Sequence, residues 1–299
     1  MVLPCSIICD DASYDLAEAI AKDLGVDGEK IVKMERTGFE DGEFKLRFSR
    51  DVKSEEVILV LRLYPHVNDN IIEMILALKK LNDIGKSIKV VLPYLAYARQ
   101  DKEFLPGEIA SIYVLGDIMA HYGVKELVVI DVHNLEIMAK MGIKASNISA
   151  IGILAERLRE SGLPDKPIVI SPDKGSVERS RIFAEAIGAE YAYLEKHRDR
   201  VTGEVTTEYK ELGLSGRTAV IFDDMMVSGG TVINAAKIAR ANGASRIIAV
   251  CTHALLIDGA AEKLKAAGVD EIIASNTISN DFSEADVSHL ISEALRADA

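Results

Sequence analysis

The sequence predicts an α/β protein built from two tandem copies of one domain, each with a mainly parallel sheet flanked by helices. Short apolar runs rich in Val and Ile alternate with stretches of helical periodicity, the pattern of strands joined through helices and so paired in parallel. Matching segments then recur. Gly85-Lys86-Ser87 opens one strand as Gly243-Ala244-Ser245 opens another, and Gly123-Val124-Lys125-Glu126 precedes LVVI as Gly268-Val269-Asp270-Glu271 precedes IIAS. Ala17-Glu18-Ala19-Ile20 likewise echoes Ala184-Glu185-Ala186-Ile187. The spacing between the second pair is shorter than between the first. This places extra residues in the first copy, between its last two strands, in the segment holding Arg99, Gln100 and Asp101.

In chain order, Pro4 to Cys9 reads as a buried strand and Tyr14 to Leu24 as an amphipathic helix, with Asp11 or Ser13 as its cap. Ile31 to Glu35 is a short strand. The period-two alternation of Glu43 to Phe48 is another, entered through a turn at Asp41-Gly42-Glu43. Glu56 to Leu63 is a strand, Asn68 to Leu81 a helix and Ser87 to Leu92 a strand. YLAYARQDKEFLPGE then forms a long polar loop. Ala110 to His121 returns to helix, and Glu126 to Ile130 is a strand that leads into Asp131-Val132-His133. In the second copy, Ile168 to Ile170 and Tyr191 to Glu195 are strands, followed respectively by Ser171-Pro172-Asp173-Lys174-Gly175 and by the basic run Lys196-His197-Arg198-Asp199-Arg200.

Composition narrows the function. A chain of 299 residues with 48% hydrophobic content fills real cores. Its net charge of −12 and pI near 5.1 exclude the basic footprint of a nucleic-acid-binding protein, so an anionic ligand has to be held locally. Cys5, Cys9 and Cys251 read as free thiols of a reducing compartment. Met1 to Asp10 lacks a basic signal-peptide region, and no apolar run is long enough to span a bilayer; the expected location is cytoplasmic, with no membrane partner.

The chemistry concentrates in Thr218 to Thr231, TAVIFDDMMVSGGT. An apolar strand stops at Asp223 and Asp224, and a turn through Ser228, Gly229 and Gly230 leads into a helix beginning near Thr231. Amides freed by the glycines and the positive end of the helix dipole hold a phosphate. Two carboxylates repel a phosphate but suit hydroxyl groups or a hard cation. A sugar phosphate satisfies both halves. The corresponding stretch of the first copy, around LYPHVNDN, has neither paired aspartates nor glycines. There is no Walker loop and no GxGxxG. Cations at Lys196 to Arg200 are candidates for stabilising charge in a transition state.

Taken together, FEDGE at 39–43, YARQD at 97–101, DVH at 131–133, SPDKG at 171–175, KHR at 196–198 and DDMMVSGGT at 223–231 resemble the ribose-phosphate pyrophosphokinase family over nearly the whole chain. The loop containing Pro106-Gly107-Glu108 looks most like archaeal members, and argues against the allosteric ADP and phosphate site of bacterial-type members. The resemblance implies two type I phosphoribosyltransferase-like domains, at 1–146 and 147–284, with a helix in 285–299 packing back on the first. It implies transfer of diphosphate from MgATP to ribose 5-phosphate, releasing AMP.

By the same resemblance, Asp223, Asp224, Ser228, Gly229, Gly230 and Thr231 bind ribose 5-phosphate, while Arg99, Gln100 and Asp101 bind ATP. Phe39, Asp41 and Glu43 enclose the adenine from a neighbouring subunit, so the protein self-associates with a shared active site. His133 and Asp173 match the magnesium site, and Lys196 and Arg198 a catalytic loop. One departure is Val227, where most members carry an acid or small polar residue; this puts sugar affinity and nearby magnesium binding in question. Two other readings use the same loop: a phosphoribosyltransferase consuming the diphosphate product, and a catalytically silent regulatory paralogue.

Overall fold

Strands buried on both faces need near-continuous apolar sequence, and the first strand, β1 (Cys5–Cys9), is buried at every position. The protein is described by a computed structural model covering residues 4–162, 166–173, 175–193, 195–198, 205–208 and 213–297. It divides into two units, one of Met1–Ser149 with Val287–Ala299 and one of Ala150–Asp286.

In the first unit β1 leads through a 3-10 turn at Asp11–Ser13 into α1 (Tyr14–Leu24), which buries Leu16, Ala17, Ile20, Ala21 and Leu24 along one face. The helix ends at Gly25, whose φ of 69° lets its N–H turn back to the carbonyls of Ala21 and Lys22. β2 (Ile31–Gly38) and β3 (Phe44–Phe48) form an antiparallel hairpin, and β4 (Glu56–Val60) follows. Next come α2 (Val67–Asp83), β5 (Ser87–Leu92), α3 (Ser111–His121), β6 (Val124–Ile130), α4 (Glu136–Lys140) and β7 (Lys144–Ile148). The sheet order is β3-β2-β1-β4-β5-β6-β7, parallel except at β2–β3. Leu59, Leu61, Val90 and Leu92 pack against Met74, Leu78 and Met119 in its core.

The second unit opens with α5 (Ile151–Glu160), β8 (Ile168–Ser171), α6 (Val177–Ile187) and β9 (Glu190–Tyr193). A separate antiparallel pair, β10 (Glu195–Arg198) and β11 (Val205–Glu208), precedes β12 (Thr218–Met226), α7 (Gly230–Ala241), β13 (Arg246–Ala254), α8 (Ala260–Ala266), β14 (Glu271–Ser275) and β15 (Ser283–Ala285). The main sheet, β15-β14-β13-β12-β8-β9, is parallel throughout. Read from β9, its order reproduces β2-β1-β4-β5-β6-β7 of the first unit strand for strand, as the repeat in the sequence requires. The last helix, α9 (Ser288–Ala297), belongs to the first unit, where Arg296 donates to the Asp23 carbonyl on α1.

Several details differ from the sequence reading. Each sheet continues one strand further, to β7 and β15, so the extra residues of the first copy fall between its fourth and fifth parallel strands, β5 and β6, rather than its last two. Neither edge strand carries a long apolar run. Ser13 stands at the cap position of α1, but its hydroxyl accepts from Arg62 N at 2.8 Å instead of capping, and Asp10 Oδ1 caps the 3-10 turn ahead of the helix by accepting from Ser13 N at 2.9 Å. Cys5, Cys9 and Cys251 are free and buried, and burial pushes the Cys9 thiol up to about 12. Among the described residues no helix is long and apolar enough to cross a membrane.

Candidate active site

In an open parallel sheet, ligands meet the carboxyl ends of the strands. The acid pair lies there, though the strand does not stop at it: β12 runs through Asp223 and Asp224 to Met226, and both acids are buried. Register explains the difference, because Asp223 pairs with Cys251 and Met225 with His253 on β13, so the ladder continues past the charges. Asp223 Oδ1 accepts from the Ser176 hydroxyl at 2.5 Å and from Asp224 N at 2.9 Å. Asp224 is ion-paired to Arg179 of α6. Burial, and then the neighbouring Asp224 charge, raise the Asp223 carboxyl to about 8; the Ser176 hydrogen bond works the other way, and Asp173 adds to the rise.

Beyond Met226 the chain turns through Val227 and Ser228, and α7 starts at Gly230, one residue before the expected Thr231. Gly229 caps the helix at φ 74°, and a side chain there would put its Cβ 3.3 Å from Leu264 Cγ. No side chain caps α7, so the amides of its first turn have no partner within the helix. The turn itself is braced from behind. Met226 O accepts from Leu255 N and Leu256 N at 2.9 and 3.0 Å, and Val227 O accepts from Ile257 N at 3.0 Å. Ser228 and Gly230 are exposed and Thr231 half-buried, so the concave side faces outward.

Asp173 stands two residues past the neighbouring strand β8. Its Oδ1 accepts from Gly175 N at 2.9 Å and Ser176 N at 3.0 Å, which starts α6 and aims its first turn at β12. Ser176, Arg179 and Ser180 stand three and four apart on one helical face; Ser180 donates to the Phe222 carbonyl at 3.1 Å. The sequence reading missed Ser176 and Arg179. Their spacing was a usable signal, but their partners across the sheet were not.

In the first unit the matching place is filled. Ser87 N donates to Glu55 O and Ser245 N to Arg217 O, both at 2.9 Å, so β5 and β13 begin alike beside β4 and β12. Past the end of β4 stands Arg62, where β12 carries the acid pair. Arg62 is buried and donates to the Ala12 carbonyl and to Asp15 of α1. The ion pair Asp15–Arg62 thus inverts the charges of Arg179–Asp224. A buried cation satisfied from within cannot accept from sugar hydroxyls.

The first unit offers other groups at its strand ends. Arg99 is exposed on the loop after β5, and Gln100 Nε2 donates to Lys102 O at 3.3 Å and to Glu108 Oε2 at 3.5 Å. Asp101 Oδ2 accepts from Asn134 Nδ2 at 2.7 Å, tying this loop to the segment after β6 that carries Asp131 (φ 39°) and the exposed His133. Phe39, Asp41 and Glu43 share the β2–β3 turn, where Phe39 N donates to Glu43 O at 2.7 Å and Glu43 N to Asp41 Oδ1 at 3.0 Å. Phe39 is 52% exposed. Among the described residues no hydrogen bond or ion pair joins this turn to Arg99, Gln100 or Asp101. Lys196 and Arg198 lie in β10, their backbones opposite Thr207 and Val205. Their side chains lie outside the described residues, as do Lys174, Asp199 and Arg200 entirely.

Two copies of one parallel sheet, with an acid pair, a glycine turn and an uncapped helix start kept in one of them, define an α/β protein of the type I phosphoribosyltransferase class. Residues 5–123 match the family model described as the N-terminal domain of ribose phosphate pyrophosphokinase, and residues 211–298 match the phosphoribosyl synthetase-associated domain. The ribose-phosphate pyrophosphokinase of Sulfurisphaera tokodaii is 37% identical over 283 residues, covering 94% of this chain and 96% of its own. That of Saccharolobus solfataricus is 36% identical over 295 residues, covering 97% and 99%. The crystal structure of phosphoribosylpyrophosphate synthetase from Mycobacterium smegmatis matches with a TM-score of 0.86 over 99% of both chains at 25% identity. The chain belongs to the ribose-phosphate pyrophosphokinase family.

Proposed function

We propose that the protein transfers a diphosphate group from ATP to the 1-hydroxyl of ribose 5-phosphate, giving 5-phosphoribosyl 1-diphosphate and AMP in the cytoplasm. The observation that carries this reading is the asymmetry of the two copies: the end of β12 keeps carboxylates and open amides, while Arg62 closes the equivalent place after β4. One copy takes the acceptor, and the other is free for the donor. Neither a phosphoribosyltransferase nor a silent paralogue is favoured by any feature of the site.

In this proposal the amides of Ser228, Gly229, Gly230 and Thr231 hold the sugar phosphate, and Asp223 and Asp224 accept from ribose hydroxyls. Val227 contributes only backbone. Arg99 stacks on adenine, with Gln100 and Asp101 beside it. Phe39, Asp41 and Glu43 close over the nucleotide from a neighbouring subunit of a homo-oligomer. The ribose 1-oxygen attacks the β-phosphorus, the bond from that phosphorus to the α,β-bridging oxygen breaks, AMP leaves with the electron pair, and the hydroxyl proton is lost. Such a transition state is loose, so positioning and charge do most of the work, and Lys196 and Arg198 supply cations to it.

In this proposal His133 of the first unit and Asp173 of the second are each a candidate magnesium ligand. Among the described residues no three His, Cys, Asp or Glu side chains cluster as a ready-made cage. That suits an ion which keeps its waters and takes phosphate oxygens. Asp173 is held through Oδ1 alone among the described residues, leaving Oδ2 as a hard oxygen donor. When bound, magnesium neutralises phosphate charge. The test is the product: with ATP, magnesium and ribose 5-phosphate, AMP forms in step with a 1-diphosphate seen by phosphorus NMR. ADP as the sole nucleotide product overturns the reading.

A further inference from the structure

The hairpin that carries Phe39, Asp41 and Glu43 is weakly held at its free side. β3 is an edge strand, with no residue fully buried, and the turn is closed by three local hydrogen bonds: Phe39 N to Glu43 O, Gly42 N to Phe39 O and Glu43 N to Asp41 Oδ1. A ladder on one side and a local turn leave the tip free to swing. Arg47 on β3 pairs with Glu35 on β2, and Leu46 and Phe48 lean on the core; one further side chain ties the hairpin to a helix. Arg36, three residues before Phe39, sends its guanidinium over the ring of Phe44 at 4.0 Å and donates from Nη2 to Asp69 Oδ2 at 2.8 Å. Arg36 precedes the turn, Phe44 follows it, and Asp69 sits in the first turn of α2. A single planar group therefore clasps both arms of the hairpin and fastens them to a helix whose Ile71, Met74, Ala77 and Leu78 fill the core.

One helical turn beyond Asp69, Glu73 lies on the same face of α2, buried, and its Oε1 has no hydrogen-bond partner among the described residues. The charged groups acting on it are Asp10 and Asp11, after β1, which disfavour its ionised form, and Arg36, which favours it. Arg36 thus stands between one carboxylate it bonds and a second it only influences. A residue placed merely to decorate an edge strand has no such neighbourhood.

We propose that Arg36 is a positioning residue for nucleotide binding: it clamps the β2–β3 hairpin to α2, so that Phe39, Asp41 and Glu43 are presented in a fixed orientation. The proposal rests on the function proposed above, in which those three residues enclose the adenine. It assigns Arg36 no contact with substrate. Asp69 and Phe44 are its partners in the clamp, and Lys cannot replace Arg fully because an ammonium lacks the planar face that stacks on Phe44.

The test compares wild type with Arg36→Ala, Arg36→Lys and Phe44→Leu, using AMP formation as the assay and amide hydrogen exchange as a second readout. Arg36→Ala should raise KM for ATP by about three- to tenfold, the scale of one partly exposed ion pair with one ring contact, while KM for ribose 5-phosphate and kcat at saturating ATP stay near wild type. Arg36→Lys should recover part of the loss, and Phe44→Leu should shift KM for ATP in the same direction. Exchange at Phe39 and Glu43 should quicken in Arg36→Ala, with the amides of β1 and β5 unchanged. An unchanged KM for ATP, or equal rises for both substrates, overturns the proposal. If wild type itself forms no AMP, the proposed function falls, and exchange decides the clamp alone: unchanged rates at Phe39 and Glu43 overturn it.

Discussion

The Ser176 hydroxyl donates to Asp223 Oδ1 at 2.5 Å, joining the first turn of α6 to the buried acid pair of β12. It is the main local interaction that favours the Asp223 carboxylate, against burial and the Asp224 charge, which together raise that carboxyl to about 8. Without ligand, then, burial and the Asp224 charge favour the protonated form of Asp223. Accepting from a ribose hydroxyl favours the ionised form, so binding should release a proton. Ribose 5-phosphate affinity should fall as pH drops from 9 to 7, and calorimetry at pH 7.5 in buffers of different ionisation enthalpy should register the released proton. Ser176→Ala removes the stabilising donor and should move this dependence to higher pH. A pH-independent affinity in wild type would refute the assignment.

Glu73 gives a second pH signature, in stability rather than binding. Burial, then Asp10, raise its carboxyl from 4.5 to about 7. The folded state therefore prefers the protonated form, and stability is lost as pH climbs from about 4.5 through 7, because folding must then hold a buried charge or a proton that the unfolded chain has released. Glu73→Gln removes the titration while keeping the shape. It should stabilise the protein by ~2–3 kcal/mol at pH 8 and by little at pH 4.5, measured by urea unfolding at both values. A gain of equal size at both pH values would place the effect in packing instead.

Arg62 should behave as a structural residue. Arg62→Met leaves the Ala12 carbonyl and Asp15 without their donors, and should cost roughly 2–4 kcal/mol of folding stability. KM for ribose 5-phosphate should be unchanged in enzyme that remains folded, because the acceptor belongs to the other copy. A selective loss of sugar binding would mean that the first copy retains a part in it.

How much of this was legible beforehand depends on the range of each interaction. α1 and β5 were readable to the residue because their periodicity and end signals are local. The repeat was readable because it recurs in spacing. β7 and β15 were not, since a short edge strand facing solvent needs no apolar run. The acid pair was found at a strand end, but its residence inside the strand depends on pairing with β13, which no local pattern encodes. Arg62 and Arg179 were passed over for the same reason. An arginine on a helix or past a strand looks like a surface charge until the carboxylate across the sheet is known.

Gly229 is the most exacting position in the acceptor loop, and two constraints on it can be separated. Its φ of 74° disfavours any other residue, and an added Cβ would meet Leu264 Cγ at 3.3 Å. Gly229→Ala should therefore turn the amides of Gly230 and Thr231 off the phosphate. KM for ribose 5-phosphate should rise more than tenfold, by ~1.4 kcal/mol or more, with KM for ATP little changed. Adding Leu264→Ala opens space for the new methyl group but leaves the backbone strain. If crowding is the cause, the double variant recovers sugar binding; if the left-handed backbone is the cause, it does not. The latter is expected, since Leu264 is a flexible side chain that can yield a few tenths of an ångström while the backbone conformation is fixed by the carbonyls of Met226 and Val227 behind it. Recovery of KM in the double variant would show that packing against α8, rather than the turn, sets the shape of the loop.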